Sequence, residues 1–340
     1  MFSLQTEVQL DVLKYLNFNQ LFSVKQTNSY FCSLINKYEG ELARMEFFRL
    51  EILDENEEID FKYKLIEPKS VVFEFTLNDQ LMKKWQTAID ESIPLFLSES
   101  DIKPLVCIET SVVDNNYVLK LPKIPKNIEE MIITRCWLGQ LFNFAFTYCN
   151  FNTIVFNREM INILIYNDKT IQPKFHIKIP NLSPTKETFE NMLDLIYYQL
   201  ASSRILIINF TYCEYNIEQY TDILFNILIN EGNKFPQIRL RCFKLTRLYD
   251  LIIEYITTTR DCSKMITYID LSFIAFPNFK INERAENIKV WESNVFNEKF
   301  TRFEIANIYD PRVRFAFNIQ VDKRWKSSRV HTIYYIFKQQ

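Results

Sequence analysis

The stretch that decides how this chain is organised lies near its start, where residues 7–16 read Glu-Val-Gln-Leu-Asp-Val-Leu-Lys-Tyr-Leu. Apolar residues recur in it at helical spacing, at Val8, Leu10, Val12, Leu13 and Leu16. Spacings of three and four residues place such side chains on one side of a helix. The stretch therefore predicts an amphipathic helix with a broad apolar face.

Polar residues predict where this helix and two further short helices begin. Thr6, with Gln9 three positions later, has the spacing of a capping box for the first helix. Asn19 is predicted to cap the second helix and Asn28 the third, which we expect to continue as far as Met45. Three helices in under fifty residues bury too little surface to be stable alone. They must therefore pack onto the rest of the chain or bind a partner.

The apolar spacing of these helices resembles an F-box, and it is closest to the divergent F-box family that is expanded in nematodes. The matching positions are Leu4-x-x-Glu7-Val8, Val12-Leu13-x-x-Leu16, Leu21-x-x-Val24 and Asn28-x-x-Phe31-x-x-Leu34. The sequence departs from the family at Gln5, where proline is usual, and at Phe31, where many members have tryptophan. Loss of that proline removes a residue that favours helix entry.

The resemblance implies that the helices bind a Skp-type adaptor, which links to a cullin scaffold and its ubiquitin-conjugating machinery. Carried over position by position, it assigns eight residues to the surface that faces or supports the adaptor: Leu4, Val8, Val12, Leu13, Leu16, Leu21, Val24 and Phe31. A contact of this kind draws its energy from a few buried apolar anchors.

The segment after the helices contains mixed signals. Its acidic run at 51–60 predicts a solvated linker. Short apolar patterns then predict a strand at 71–77, a helix at 78–93 that ends before Pro94, and strands at 106–110 and 117–121.

A three-point template, apolar-x-x-apolar-x-apolar, recurs from residue 128 onward. Its copies start at Ile128, Phe151, Lys174 (which has lost its first apolar residue), Ile205, Phe235, Ile266 and Phe300. Helical patterns that start at Ser183, Asn216 and Thr246 fill the longer gaps. A strand followed by a helix every 23–34 residues is typical of a leucine-rich-repeat solenoid.

The sequence thus predicts an α/β fold: a three-helix F-box followed by a degenerate leucine-rich-repeat-like β/α solenoid with a short antiparallel cap. The predicted divisions are 1–48 for the helices, 49–127 for a linker and α/β segment, 128–311 for the repeats and 312–340 for the cap. A non-repetitive α/β domain and an α+β arrangement are the alternatives, because a loose template also matches ordinary strands.

Polar residues between the template positions are predicted to share one sheet face and to bind a target protein. They include Lys178, Arg239, Arg241, Tyr268, Asp270, Arg302 and Glu304. Arg and Tyr are favoured interface anchors, although each residue can equally belong to an ordinary solvated face. The basic stretch 323–329 is interpreted as a solvated hairpin turn, with contact to acidic segments or nucleic-acid phosphates as the alternative.

Composition argues against catalysis and cofactor binding. The three glycines lie far apart, at 40, 139 and 232, so they form neither a phosphate-binding loop nor a nucleophile elbow. Two histidines and seven scattered cysteines offer no metal-ligand spacing, and we predict no cofactor, no metal and no catalytic residue. The cysteines are expected to be reduced thiols in the cytoplasm or nucleus.

Net charge and hydropathy argue against two classes of partner, nucleic acids and membranes. A formal net charge of −2 disfavours nucleic acid as a partner of the whole chain. No apolar run approaches the length of a membrane span, which disfavours a membrane.

The leading hypothesis is the substrate-recognition subunit of an SCF-type (Skp–cullin–F-box) E3 ubiquitin ligase. Such a subunit is not itself catalytic, since it holds the target near the charged conjugating enzyme. The alternative is a protein-interaction scaffold that is not coupled to ubiquitin transfer, and a third hypothesis is an undetected hydrolase.

Overall fold

The chain forms a mixed α/β fold with helices at its N-terminus and a large mixed sheet. The computed structural model describes residues 4–56, 61–66, 77–98, 101–111, 116–168, 171–211, 217–242, 246–273, 281–293, 298–322 and 331–339. The strand predicted at 71–77, apart from Leu77, and the basic stretch 323–329 therefore lie outside the described residues.

The fold divides into two compact units. The first unit comprises Met1–Cys149, Ile154–Ile177 and Leu193–Ala201. The second unit comprises Asn150–Thr153, Lys178–Met192 and Ser202–Gln340.

Three short helices open the first unit, as the sequence predicts. They are α1 (Thr6–Lys14), α2 (Phe18–Lys25) and α3 (Ser29–Lys37). The cap predicted for the third helix is confirmed, since Asn28 Oδ1 accepts a hydrogen bond from the backbone N–H of Phe31 at 2.9 Å. The helix nevertheless ends at Lys37, well before Met45, and a 3₁₀ turn over Glu39–Glu41 follows it.

The caps predicted for the first two helices are wrong. Thr6 already lies inside α1, and the N-cap residue Gln5 makes no side-chain capping hydrogen bond. The second helix is capped by Asn17 rather than Asn19, because Asn17 and Gln20 form a reciprocal capping box. Asn17 Oδ1 accepts from the backbone N–H of Gln20, and Gln20 Oε1 accepts from the backbone N–H of Asn17, so the pair satisfies two backbone N–H groups.

The linker predicted at 51–60 is also corrected, because strand β1 (Met45–Asp54) occupies its first residues. Along β1, Phe47, Leu50 and Ile52 are buried. The strand pairs antiparallel with β4, with Leu50 opposite Ile108. Burial of these apolar residues outweighs the acidic composition of the strand's end.

The rest of the first unit combines a sheet with three helices. The strands are β2 (Tyr63–Ile66), β3 (Phe96–Leu97), β4 (Pro104–Glu109), β5 (Asn116–Leu119), β6 (Phe144–Phe151) and β7 (Val155–Phe156), and the helices are α4 (Asp79–Asp90), α5 (Ile128–Asn143) and α6 (Arg158–Leu164). The sheet runs in the order β6-β1-β4-β5-β2, and β3 pairs with β7. The helix predicted at 78–93 and the strands predicted at 106–110 and 117–121 are confirmed as α4, β4 and β5.

The first two template copies are not repeat strands. The copy at Ile128 lies in α5, because Asn127 caps a helix there through the backbone N–H of Glu130. Its apolar spacing also suits a helix, and Met131 is buried. The second copy spans the end of β6 at Phe151 and the short strand β7, whose Val155 and Phe156 pair antiparallel with β3.

The second unit contains the alternating strands and helices that the sequence predicts. Strands β8 (His176–Leu182), β9 (Ile205–Asn209), β10 (Gln237–Cys242) and β11 (Tyr268–Phe273) are parallel neighbours. Helices α7 (Phe189–Asp194), α8 (Thr221–Asn230) and α9 (Thr246–Thr258) connect them. Successive strands begin 29, 32 and 31 residues apart, and this β/α alternation is confirmed.

Four antiparallel strands complete the second unit. They are β12 (Glu286–Ser293), β13 (Glu298–Ala306), β14 (Arg314–Asp322) and β15 (His331–Lys338). The sheet runs in the order β8-β9-β10-β11-β15-β14-β13-β12. The antiparallel pairing predicted for the C-terminal strands is confirmed in β14 and β15.

The template copy at Phe300 is a strand of a different kind from the predicted repeat. It lies in β13, which pairs antiparallel with β14. The connection from Ala306 to Arg314 is too short for the helical crossover that parallel strands require.

One face of this second sheet, which we call the packed face, lies against helix α9. Helix α9 lies on the packed face, where Tyr249 contacts Tyr334 and Phe317 with ring centroids 5.0 and 6.4 Å apart. Strand residues on this face are buried, including Leu206, Ile208, Ile238, Leu240, Ile269, Leu271 and Ile336. Because side chains alternate along a strand, the residues between them form the opposite face, which we call the open face.

Candidate interaction surfaces

The three N-terminal helices close a small core of their own. Its buried residues are Leu13, Leu21, Phe31, Leu34, Ile35 and Leu42, and Leu10, Leu16, Val24 and Tyr38 pack against them half-buried. All of these residues lie within positions 10–42. The helices therefore form a three-helix unit whose core draws on local sequence alone.

This core divides the eight predicted adaptor-binding residues into groups. Leu13, Leu21 and Phe31 are buried inside the unit. Val12, Leu16 and Val24 are half-buried. Only Leu4 and Val8, each 43% exposed, lie open on the surface. The buried group can support a partner surface but cannot itself touch a partner.

A second apolar stripe runs along the outside of α1. Val8, Val12 and Tyr15 are spaced four and three residues apart, so they lie on one side of the helix. Leu13 lies on another side, facing the core of the unit. Tyr15 is 91% exposed, which makes α1 apolar on its outer side as well.

Aromatic side chains extend the apolar surface of this unit beyond α1. Phe22 of α2 is 51% exposed and stacks on Phe18 with ring centroids 6.3 Å apart. Tyr15 and Phe22 were not predicted from the sequence to face a partner. The spacing of Tyr15 from Val8 would have placed both on one side of the helix.

Gln9 joins two of the helices through buried polar contacts. Its Oε1 accepts a hydrogen bond from the Tyr30 hydroxyl at 2.6 Å, and its Nε2 donates to the carbonyl of Leu4 at 2.8 Å. Gln9 is 1% exposed. Gln9, the predicted capping-box partner of Thr6, instead connects α1 to α3 and contacts the segment that carries Leu4.

The second unit presents the open face of its sheet as a set of cross-strand rows. The strand register defines a central row of Asn181, Ile207, Arg239, Asp270, Tyr335, Asn318, Arg302 and Lys289. On one side lies a Trp291 row, of Asn209, Arg241, Ser272, Ile333, Gln320, Phe300 and Trp291. On the other lies a Glu304 row, of Ile205, Gln237, Tyr268, Phe337, Ala316, Glu304 and Glu286.

These rows hold six of the predicted target-binding residues: Arg239, Arg241, Tyr268, Asp270, Arg302 and Glu304. Lys178 is exposed on β8 but lies outside the rows, since the register between β8 and β9 begins at Asn181. The sequence analysis missed Lys289, Trp291, Asn318 and Tyr335. Their strands were found only in part, and no local signal shows which strands become neighbours.

A buried carboxylate anchors the centre of the open face. Asp270 is 3% exposed, and its Oδ2 accepts a hydrogen bond from Arg239 Nε at 2.6 Å. Its Oδ1 accepts a hydrogen bond from the Ser272 hydroxyl at 3.0 Å. Charge-assisted hydrogen bonds of this kind compensate the cost of burying the carboxylate.

Two tyrosines flank this ion pair. The rings of Tyr268 and Tyr335 lie 6.1 Å apart. Burial, with the Asp270 carboxylate nearby, raises the pKa of both tyrosine hydroxyls. Both therefore remain neutral hydrogen-bond donors at physiological pH, which suits recognition rather than proton abstraction.

Burial holds three cysteine thiols and one histidine in their neutral forms. Burial raises the pKa of the Cys107 thiol to about 12, and it also raises the pKa of Cys136 and Cys262. Burial, with Arg44 and Lys174 nearby, lowers the pKa of His176 to about 4. These thiols are poor nucleophiles at neutral pH, because the thiolate is the reactive form.

The described residues contain no group of three or more His, Cys, Asp or Glu side chains placed to hold a metal ion. Among the helices described, none has both the length and the apolar character needed to cross a membrane.

Comparison with protein-family models gives one match, in the middle of the chain. A family model described as a domain of unknown function (DUF8381) matches residues 66–211. That match spans less than half of the chain and does not reach the three-helix unit, for which no F-box model matches. No curated protein and no solved structure matches the chain.

Proposed function

We propose that this chain is the substrate-recognition subunit of an SCF-type E3 ubiquitin ligase. The three-helix unit binds a Skp-type adaptor and, through it, a cullin scaffold, while the open face binds a target protein. The chain contributes no catalytic group. It acts in the cytoplasm or nucleus by raising the local concentration of a target lysine near the conjugating enzyme.

The observation that carries this proposal is the double apolar character of α1. A helix that only packs onto its own unit needs one apolar side, which Leu13 and its neighbours supply. The outer stripe of Val8, Val12 and Tyr15 costs solubility unless a partner covers it. An apolar helix face of this kind suits a groove on a helical adaptor.

We further propose that the parallel β/α units over residues 176–273 are degenerate leucine-rich repeats. Their strands begin at near-regular intervals, and β8, β9 and β10 are each followed by a helix before the next strand. In such arrays the face lined by the strands is a common recognition surface. The open face, with its Arg and Tyr side chains, is the corresponding surface in this chain.

Capture of the full chain by a recombinant Skp-type adaptor tests the first part of the proposal. We expect Val8→Asp to weaken binding by about tenfold or more, because it places a charge in the apolar contact. Ser33→Asp is the matched control, since it adds the same charge at another exposed position of the unit, on α3. We expect its affinity to stay within about twofold of the wild type.

Two results would contradict the proposal. One is a wild-type chain that the adaptor does not capture. The other is equal capture of Val8→Asp and Ser33→Asp, which would move the contact away from α1. Recovery of cullin with the wild-type chain distinguishes a ligase subunit from a scaffold without ubiquitin transfer.

A further inference from the structure

The open face carries a pocket of about 300 Å³ across strands β12 to β15. Its side-chain lining includes Trp291, Phe300, Arg302, Asn318, Gln320 and Tyr335. The rings of Trp291 and Phe300 lie nearly parallel, at an interplanar angle of 7° and a centroid distance of 5.4 Å. Trp291 is 47% exposed, so its free surface is available as one apolar wall.

A buried acceptor lies at the same pocket. The Oδ1 atom of Asn318 is buried and has no hydrogen-bond partner among the described residues. A buried acceptor without a donor costs free energy, which a ligand N–H or O–H can recover. Tyr335, next to Asn318 in the central row, supplies a neutral hydroxyl. The pocket thus combines aromatic walls with an acceptor and a donor.

Two exposed cations lie at the pocket and form no salt bridge among the described residues. Lys289 and Arg302 face each other across β12 and β13, and both are exposed. Neither forms an ion pair in the described part of the chain. Like charges directly opposite each other on neighbouring strands are unfavourable, so an anion bound between them is stabilised.

The acidic residues nearest this pair are already engaged. Glu286 is paired with Arg314 at 2.6 Å. Glu304 lies 3.8 Å from Arg314 and accepts hydrogen bonds from Asn287 and Gln339. Arg302 lies close enough to Glu304 to help lower the pKa of that carboxyl, yet it forms no salt bridge with it. The hydrogen-bond donors of Lys289 and Arg302 are therefore available to an external anion.

We propose that this pocket binds an acidic peptide segment that carries a bulky aromatic side chain. The aromatic side chain lies against Trp291 and Tyr335, a backbone N–H donates to Asn318 Oδ1, and flanking carboxylates contact Lys289 and Arg302. The inference rests on the proposed function, since the segment is the part of the target protein that the receptor recognises. It goes further by stating the chemistry of that segment.

Fluorescence anisotropy with the full chain and three labelled peptides tests this. The first probe has a central Phe flanked by Glu and Asp, the second replaces that Phe by Ser, and the third replaces the acidic residues by Lys. We expect the first peptide to bind about tenfold more tightly than either of the others. Comparable binding of all three would overturn the proposal.

Variants locate the contact on the protein. We expect Arg302→Ala to weaken binding of the first peptide by about three- to tenfold, and Trp291→Ala by about tenfold. The matched control is Lys299→Ala, which removes an exposed cation from the same strand on the opposite face. Equal losses for Arg302→Ala and Lys299→Ala would mean diffuse charge attraction and would overturn the assigned site.

Two further outcomes separate the hypotheses. A chain that binds the acidic peptide but not the adaptor would uphold this pocket and overturn only the ligase role. Sedimentation of the wild-type chain as a dimer that Trp291→Ala dissociates would identify a second copy as the occupant and overturn the peptide proposal. Hydrogen exchange in β13 and β14 of Arg302→Ala at the wild-type rate checks that the variant is folded around the pocket.

Discussion

The three-helix unit and the open face of the second unit expose opposite kinds of surface. The helices present apolar side chains such as Val8, Tyr15 and Phe22. The sheet presents cations, as at Lys289 and Arg302, beside aromatic rings. An apolar groove would bind the sheet poorly, because it would leave the cations of the sheet unpaired. An acidic segment would bind the helices poorly, because their apolar side chains offer it no opposite charge. Under the proposed function, the two surfaces would bind different partners that do not compete.

The largest effect in this comparison is expected inside the three-helix unit. Leu13 is fully buried, so Leu13→Ala should lower the free energy of unfolding of the three-helix unit by about 2–5 kcal/mol. Because the core is local, the loss should stay within residues 4–42. Hydrogen exchange of α1–α3 should then accelerate by about 30-fold or more.

Val8→Ala is the matched change on the outer side of α1. Val8 is 43% exposed, so its truncation should change the free energy of opening of α1, measured by hydrogen exchange, by less than about 0.5 kcal/mol. Equal acceleration by both variants would show that Val8 supports the fold, and the division of α1 into a core side and a partner side would be wrong.

A smaller loss is expected at the centre of the open face. Arg239→Met removes the guanidinium that holds the buried Asp270 carboxylate, while Ser272 still donates to it. We expect the free energy of unfolding to fall by about 1–3 kcal/mol, which hydrogen exchange would show as faster exchange in β10 and β11. The double variant Arg239→Met with Asp270→Asn should recover part of it, since the unpaired charge is gone. No recovery would mean that packing of the Arg239 side chain, rather than its charge, carries the stability.

Local patterns in the sequence predict the helices better than the sheet. The apolar spacing in residues 7–16 depends on neighbours within one turn, so the presence of α1 was predictable from the stretch itself. Its cap was not, because Gln9 is recruited by Tyr30, which is distant in sequence. The template at Ile128 shows the same limit, since a loose three-point spacing suits a helix as well as a strand.

The open face could be predicted in composition but not in arrangement. Alternation along each strand places Arg239, Asp270 and Arg302 on a shared face once the strands are aligned. The insertion of β15 beside β11, which brings Tyr335 next to Asp270, depends on long-range pairing that no short pattern encodes.

The need for glycine at position 232 also depends on a contact that is distant in sequence. The N–H of Gly232 donates to the carbonyl of Lys264 at 2.8 Å, and a side chain at this position would overlap the Met265 carbonyl.

The smallest predicted effect separates the two surfaces by their response to salt. Raising NaCl from about 50 to 500 mM shortens the Debye length from roughly 14 to 4 Å and screens exposed charges. Binding of the acidic peptide to the open face should weaken by about three- to tenfold, since it depends on Lys289 and Arg302. Binding of the adaptor should change by less than about twofold, because burial of Val8 and Tyr15 is not electrostatic and salt does not weaken it. Titrations of one preparation with both partners measure this directly. An adaptor contact as salt-sensitive as the peptide contact would place charged residues of α1, such as Asp11 or Lys14, at the interface and would remove the contrast between the two regions.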